Sequence, residues 1–395
     1  MYSRKVSPAE KTLLVADWAS RPFANQLVVE GKGEIDVVQL KKAVKLACLA
    51  NPGSRLLLKQ NYFHEKWIAR GPIAPVTVIE NSKWDGYSSE NAPFLSEALH
   101  PVKGPISEVI LIPGETTRIV FRTNHGAMDG RGTQFWAEDV FAALNGETLI
   151  GATSRLTDMT ISGITGNDKR NSSTMIRPED CIVPTGKSIG DEPGIYWERI
   201  RIKGKFSSIV PQLSLILAKE AWKYQDGRVA ILMPVDMRKR IPGLRSTNNL
   251  SSMIHFDVLR EDTVESVQSK ISDLLKGQYE SLPYWYHLLS IVPLAWMKSI
   301  YRWSAEKNKN TDLYSASGVI SNLGKISVEK YFCDGFTPET CFFIPPCGEG
   351  MSQFMTLSGS GSFVDILSAT PQIYNTEGRI KKLLASVRLE LCPTD

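Results

Sequence analysis

One histidine in this chain stands where an apolar run gives way to a helix. Thr123-Asn124-His125-Gly126-Ala127-Met128-Asp129-Gly130 follows Ile119-Val120-Phe121 and precedes a helical pattern from Thr133 to Leu144. An imidazole can be unprotonated near neutral pH and can take a proton from a hydroxyl or an amine, so the spacing suits general-base chemistry. The aspartate four residues on, with glycine behind it, suits a helix start. The same pattern also allows a plainer reading, a strand-end histidine bonded to backbone beside a helix-capping aspartate. No other histidine (His64, His100, His255, His287) lies in a comparable setting.

The elements that must hold His125 can be read around it. Asn25 to Gly31 is strand-like, and Asp36 opens a helix with apolar residues at Val37, Leu40, Ala43, Val44, Ala47 and Cys48, stopped by Asn51-Pro52-Gly53. Ser54 to Leu58 is a further strand. Ile106 to Ile112 and Arg118 to Asn124 flank Pro113-Gly114-Glu115-Thr116 as a hairpin, so His125 sits where its second strand leaves the sheet. Polar and Pro/Gly-rich residues then break the pattern, which divides the chain into 1–165, a linker at 166–194, and 195–395. The second half repeats the theme. Tyr196 to Lys203 and Arg228 to Val235 read as strands around a helix from Val210 to Tyr224. Asp262 and Glu265 read as a capping box, Leu313 to Ile320, Gln353 to Ser358 and Ser362 to Leu367 as strands, and Thr376 to Leu389 as a final helix.

Composition narrows the classes. At 395 residues the chain exceeds what one core usually serves, and 42% hydrophobic with 22% charged residues marks an ordinary globular protein. A net charge of +4 is too weak to argue for nucleic acid and is compatible with an anionic partner. The six cysteines (Cys48, Cys181, Cys333, Cys341, Cys347, Cys392) form no C-x-x-C pair, so neither zinc nor a disulfide framework is expected, and a reducing, cytoplasmic setting is. Residues 1–8 show no apolar stretch after their basic residues, so no secretory leader is expected. Leu282 to Ile300 is apolar enough to be weighed as a membrane segment. Pro283, His287 and Pro293 interrupt it, which favours a buried or lobe-interface helix pair without membrane contact. No G-x-x-x-x-G-K-[ST], H-E-x-x-H or G-x-S-x-G occurs, and Gly359-Ser360-Gly361 lacks the third glycine of a dinucleotide loop.

The segment at 124–130 resembles the H-H-x-x-x-D-G signature shared by chloramphenicol acetyltransferase, peptide-synthetase condensation domains and related acyl-thioester transferases, with Asn124 in place of the first histidine. Three further stretches are similar in the same order. Ile35-Asp36-x-x-x-Leu40-x-x-Ala43 with Asn51-Pro52 and Arg55 looks like the superfamily's opening. Pro234-Val235-Asp236-Met237-Arg238 resembles its P-V-D-x-R stretch, and Ser321-Asn322-Leu323-Gly324 its S-N-L-G stretch. The D-F-G-W-G of plant-type members is absent.

This resemblance implies a mixed α/β fold of two chloramphenicol-acetyltransferase-like lobes, with mostly antiparallel sheets, flanking helices and an active-site tunnel between them. It implies His125 as catalytic base, Asp129 paired with Arg238, and Gly130 and Asn124 in support. Backbone N–H groups at Gly126 or Gly130 would be oxyanion donors, and Ser321 and Asn322 would line the tunnel. The basic alternation Arg199, Arg201, Lys203 reads either as a solvated strand face or as a docking edge for donor phosphates. The implied activity moves an acyl group from coenzyme A or a carrier protein to a hydroxyl or amine of a small molecule, with no bound cofactor or metal, in a monomer. Carrier-to-carrier condensation and a catalytically silent binding relative are the alternatives.

Overall fold

A computed structural model describes the chain except for residues 21, 61–64, 95–98, 166–176, 280–283 and 393–395. The first half forms β1 (Ser3–Lys5), α1 (Pro8–Ala19), β2 (Ala24–Gly33), α2 (Val37–Ala50), β3 (Leu56–Gln60), β4 (Glu65–Ala69), β5 (Val76–Val78), β6 (Ser107–Ile112), β7 (Thr117–Asn124), α3 (Gly130–Leu144) and α4 (Asp158–Thr165). Local chemistry sets the helix starts. Ser7 and Glu10 form a capping box on α1 behind Pro8, and Asp36 accepts from the N–H of Gln39 to start α2. On α2 the buried residues are Leu40, Ala43, Val44, Ala47 and Cys48, the stripe the sequence spacing predicts.

The second half forms β8 (Ile195–Lys203), α5 (Ile209–Tyr224), β9 (Val229–Asp236), β10 (Ser251–Val258), α6 (Val264–Lys276), α7 (Leu294–Thr311), β11 (Gly318–Lys325), β12 (Phe336–Ile344), β13 (Phe354–Gly359), β14 (Phe363–Pro371) and α8 (Arg379–Leu391). The box that starts α6 is Thr263 with Ser266, one residue from the expected Asp262 and Glu265. Asp262 instead pairs with Lys270.

The strands assemble into two larger sheets, ordered β12-β2-β7-β6-β5 and β10-β9-β11-β13-β14-β8, beside a small β1-β4-β3 sheet. Pairing is antiparallel except at β5–β6, β9–β11 and β11–β13. Each large sheet has its own helix layer: α2 and α3 cover the first through Leu27, Val29 and Phe121, while α5, α6 and α8 cover the second through Ile231, Met355 and Ile366. The opposite faces of the two sheets meet through Val28, Ile110 and Val120 on one side and Val319, Phe354 and Leu367 on the other. The molecule is therefore two α/β lobes joined sheet to sheet.

Two boundaries differ from the sequence reading. β12 lies late in the chain but pairs with β2 in the first sheet, so the lobes do not divide cleanly at 166–194. Of that stretch, 166–176 lies outside the described residues, and 181–186 is no solvated tether. Ile182 and Val183 are buried, and Cys181 and Ile182 donate backbone bonds to Tyr314 and Arg228. Apolar side chains and paired backbone tie it to the second lobe. Among the described residues no helix is long and apolar enough to cross a membrane.

Candidate active site

The site is built where β2, β7, α3 and the 241–250 loop converge. β7 ends at Asn124, and the chain turns tightly before α3. Asn124 closes that turn: its carbonyl accepts from Ala127 and Met128, and its side-chain Oδ1 accepts from the Gly126 N–H at 3.0 Å. Gly126 is required for contact with α1, since a Cβ there would lie 2.7 Å from Leu14 Cδ2.

His125 leaves this turn with its ring stacked on Phe23, centroids 5.6 Å apart and planes 18° apart. Its Nδ1 faces inward, 3.4 Å from the Met128 carbonyl and 3.2 Å from Asn25 Nδ2. The same Asn25 amide donates to the Met128 carbonyl at 2.6 Å, which fixes that oxygen beside the ring. The amide of Asn25 donates to a bare Nδ1, whereas the longer contact to the Met128 carbonyl is made by a protonated Nδ1, so the two neighbours favour opposite tautomers of the ring. Burial pushes the His125 pKa below its ordinary value, against the attraction of Asp129, so the imidazole is neutral at physiological pH.

Asp129 does not face the imidazole as a relay would. It caps α3 by accepting from Gly132 at 2.8 Å, and it meets Arg238 through two parallel bonds of 2.9 and 3.0 Å. Leu250 N–H and Ser251 Oγ complete its shell at 2.8 and 3.2 Å. Burial alone would raise the carboxyl, but the Arg238 guanidinium and these donors hold it below the usual carboxylate range. Arg238 in turn reaches Asp236 at 2.9 Å and the carbonyls of Ser246 and Asn248 at 3.0 and 2.6 Å, so every edge of the fork is used. The pair spans the lobes and couples the motif turn to the loop after β9.

Other expected residues are placed differently. The Gly126 N–H is taken by Asn124, which removes it as an oxyanion donor. Gly130 opens α3, where the first N–H groups of a helix lack intrahelical partners. Close packing is required of Gly132, not Gly130: a Cβ on Gly132 would meet Thr247 O at 2.5 Å, one on Gly130 nothing nearer than 3.5 Å. Ser321 sits at the parity of Val319 and Leu323, the face of β11 turned to the other lobe, whereas Asn322 is exposed and caps its own turn at Gly324.

The basic strand face is not open to donor phosphates. Arg199 is buried between Asp365 and Glu30, at 2.9 Å from each, and Arg201 also grips Asp365 at 2.9 Å. Alternation on β8 puts these two on one face, where Asp365 of the neighbouring strand β14 meets both and Glu30 of β2, in the other sheet, meets Arg199. Lys203 at the strand end remains exposed.

Two residues that local pattern gives no reason to select belong to the site, Asn25 and Asn249. Asn249 donates to the His125 carbonyl at 2.8 Å from the loop before β10. Surface cavities of about 380 and 410 Å3 lie on the outer side of the second lobe, one at Trp222 and Arg228, one at Ser208 and Gln268; His125 lines neither. Among the described residues no cluster of three or more His, Cys, Asp or Glu could hold a metal ion.

No protein-family model and no curated protein matches the sequence. Solved structures do. The starter condensation domain of rhizomide synthetase RzmA, in complex with C8-CoA, superposes with a TM-score of 0.65 at 10% identity over 98% of this chain and 94% of that one. The condensation domain of the Monacolin K polyketide synthase MokA gives 0.65 at 10% identity over 100% and 98%. Polyketide synthase associated protein 5 from Mycobacterium tuberculosis gives 0.65 at 12% identity over 98% and 97%. The chain has the condensation-domain fold. At these identities the likeness is one of fold, and site chemistry must be argued from the residues themselves.

Proposed function

We propose that this protein is an acyltransferase that moves an acyl group from a pantetheine thioester, on coenzyme A or a carrier protein, to a hydroxyl or amine of a small molecule. His125 is the general base. The observation that carries the reading is a neutral imidazole, on a half-buried residue, whose Nδ1 is turned inward to Met128 and Asn25, on a loop tied across the lobes by Asp129 and Arg238.

In this reaction Nε2 of His125 takes the acceptor proton as the acceptor attacks the thioester carbonyl. The tetrahedral intermediate collapses by breaking the C–S bond, and the proton passes to the leaving thiol. The Gly130 N–H at the start of α3 is the remaining motif donor for the oxyanion. Asp129 and Arg238 touch no substrate in this scheme. They hold the turn, and Asn124 shapes it in place of the signature's first histidine. The space between the lobes beside Ser321 is the proposed channel for the pantetheine arm. A donor thioester is further supported by the C8-CoA complex of the RzmA relative.

The direct experiment is a panel of acyl-coenzyme A and carrier-bound thioesters with alcohol and amine acceptors, following free thiol and acylated product. His125→Ala should lower turnover by about 10²–10⁴-fold with the fold intact. Full turnover by a folded variant would remove His125 from the chemistry.

A further inference from the structure

Gln26, Asn124 and Ser321 form a polar layer between the apolar contact of the lobes and the motif turn. On β2, Leu27 and Val29 face the helix layer, while Val28 lies in the cluster between the lobes and Glu30 meets Arg199 of β8. Gln26 has the parity of Val28 and Glu30, so it faces the second lobe. On β7, Asn124 has the parity of Val120 in the same cluster. The two stand one row apart on neighbouring strands, since Gln26 is opposite Arg122 and Ala24 is opposite Asn124. From the other lobe Ser321 of β11, half-buried, follows Val319 of that cluster.

The second sheet opens at this level. β9 and β11 pair with each other at Gly318–Ile231 and Val319–Leu232, although β9 runs on to Asp236 and β11 to Lys325. Both continue toward the motif. β9 leads to Arg238, bonded to Asp129, and Leu323 of β11 would lie 3.9 Å from a Cβ on Gly130. Val319 and Leu232 pack in one cluster with Val28 and Val120, so the unpaired stretches flank the space before Gln26 and Asn124.

Neither amide of this layer is fully used. Gln26 and Asn124 are 5 and 0% exposed, and Oε1 of the first and Nδ2 of the second are buried without a hydrogen-bond partner among the described residues. A buried polar atom left unbonded is costly, and in a native fold it calls for a partner that arrives in use. Asn124 Oδ1 is taken by the Gly126 N–H, so its open end donates, whereas the sealed end of Gln26 accepts. Diagonal neighbours on paired strands are about 7–8 Å apart at the backbone, and a trans secondary amide between them offers N–H to one side and C=O to the other. A phosphate or carboxylate would need donors alone, and the cation opposite Gln26, Arg122, is engaged by Glu108. An alkyl chain would leave both ends unbonded.

We propose that Gln26, with Asn124, recognises a secondary amide of the substrate, the group carried by a pantetheine arm or by an amide-bearing acceptor. Oε1 of Gln26 accepts from the amide N–H, and Nδ2 of Asn124 donates to its carbonyl. Gln26 is thereby a specificity-determining residue, an assignment that rests on the acyltransferase reading.

The test compares acetyl-pantetheine with the acetyl thioester of a mercapto-ended polyether of equal length, which has no N–H, at one acceptor. Gln26→Met should lower the ratio of kcat/KM for the amide donor to that for the polyether donor by at least about tenfold, the equivalent of one hydrogen bond to a buried group. Its Tm should match or exceed the parent's, because Oε1 has no partner to lose in the free protein. Gln26→Leu serves as a second apolar variant. If the ratio falls instead between amide-bearing and amide-free alcohols at one donor, the amide belongs to the acceptor. Calorimetric binding of acetyl-pantetheine to folded His125→Ala, with and without Gln26→Met, needs no turnover. Binding that depends on Gln26, without any transfer by the parent, would support the subsite and remove the enzymatic reading. Folded apolar variants that leave both ratios and the binding unchanged would overturn the proposal. So would variants whose Tm falls while both ratios hold, which would assign Oε1 to an ordered water.

Discussion

Asn249 donates its side-chain amide to the backbone carbonyl of His125 at 2.8 Å, from a loop of the second half to the motif turn of the first. With the Asp129–Arg238 pair it makes a two-point grip on one turn. Both contacts hold the backbone that carries the imidazole, and neither touches its Nε2. The lobes and the base are therefore mechanically one unit.

That grip predicts strong coupling between Asp129 and Arg238. Each is about 3% exposed at the side chain, and removing Arg238 leaves Asp129 buried without a counter-ion, at a cost of roughly 3–5 kcal/mol. Arg238→Ala should lower stability by about that much, and Asp129→Ala by less, because Arg238 keeps its pair with Asp236. The double variant should cost clearly less than the sum in denaturant unfolding. Strict additivity would mean that the two side chains are held independently.

The acid limb of the rate profile should report the burial of His125. Its pKa lies below the ordinary value because the ring is desolvated, so the basic form persists into mildly acidic solution. The acid limb of kcat/KM should fall below about 6.5, the value for an unperturbed histidine. Asn25→Asp would place a carboxylate where the amide now stands, 3.2 Å from Nδ1, and should move that limb upward. A limb that stays in place in a folded Asn25→Asp variant would show that Asn25 does not govern the ring.

The sequence is informative where a residue carries its neighbours with it. His125, Asp129 and Arg238 each sit in a short local pattern at a strand end, and the helix start at Asp36 and the hairpin of β6 and β7 are local in the same way. Asn25 and Asn249 sit in no such pattern. Each is one asparagine among many, and only the approach of β2 and of the 241–250 loop to the motif turn makes it functional. Membership of β12 in the first sheet is illegible for a similar reason: nothing local to Phe336–Ile344 names β2 as its partner across some three hundred residues. The alternation of Arg199, Arg201 and Lys203 shows that they share a face. It holds no information on Asp365 and Glu30, which arrive on other strands and turn two of those basic residues inward.

Arg199 should accordingly behave as a structural residue. Arg199→Ala leaves Asp365, which is fully buried, with Arg201 and the Thr340 hydroxyl, and leaves Glu30 with Arg118. A loss on the order of 3 kcal/mol is expected in chemical denaturation, whereas exposed Lys203→Glu should cost less than about 0.5 kcal/mol. If Arg199→Ala melts with the parent and raises only the donor KM, the arginine serves the donor after all.

Asp158 makes the stability of the first lobe depend on pH. It stands at the start of α4, 1% exposed, with Oδ1 accepting from the Met159 N–H at 2.8 Å and Oδ2 buried without a partner. Burial, reinforced by the negative charge of Glu10, raises its pKa from 3.8 to about 7, while the Met159 N–H, the Ser7 hydroxyl and Arg4 act in the opposite sense. The folded chain thus holds this proton more tightly than the unfolded chain does. Its contribution is fully present below about pH 4, the ordinary aspartate value, and is lost as pH rises from there through about 7. A displacement of that size corresponds to something on the order of 4 kcal/mol for so buried a group. Asp158→Asn carries no charge to desolvate, so the variant should gain stability relative to the parent as pH rises from about 5 to about 8. The comparison is made by thermal unfolding of both proteins in matched buffers. A difference in Tm that does not change with pH would show that Asp158 is ionised in the folded state throughout, with a donor on Oδ2.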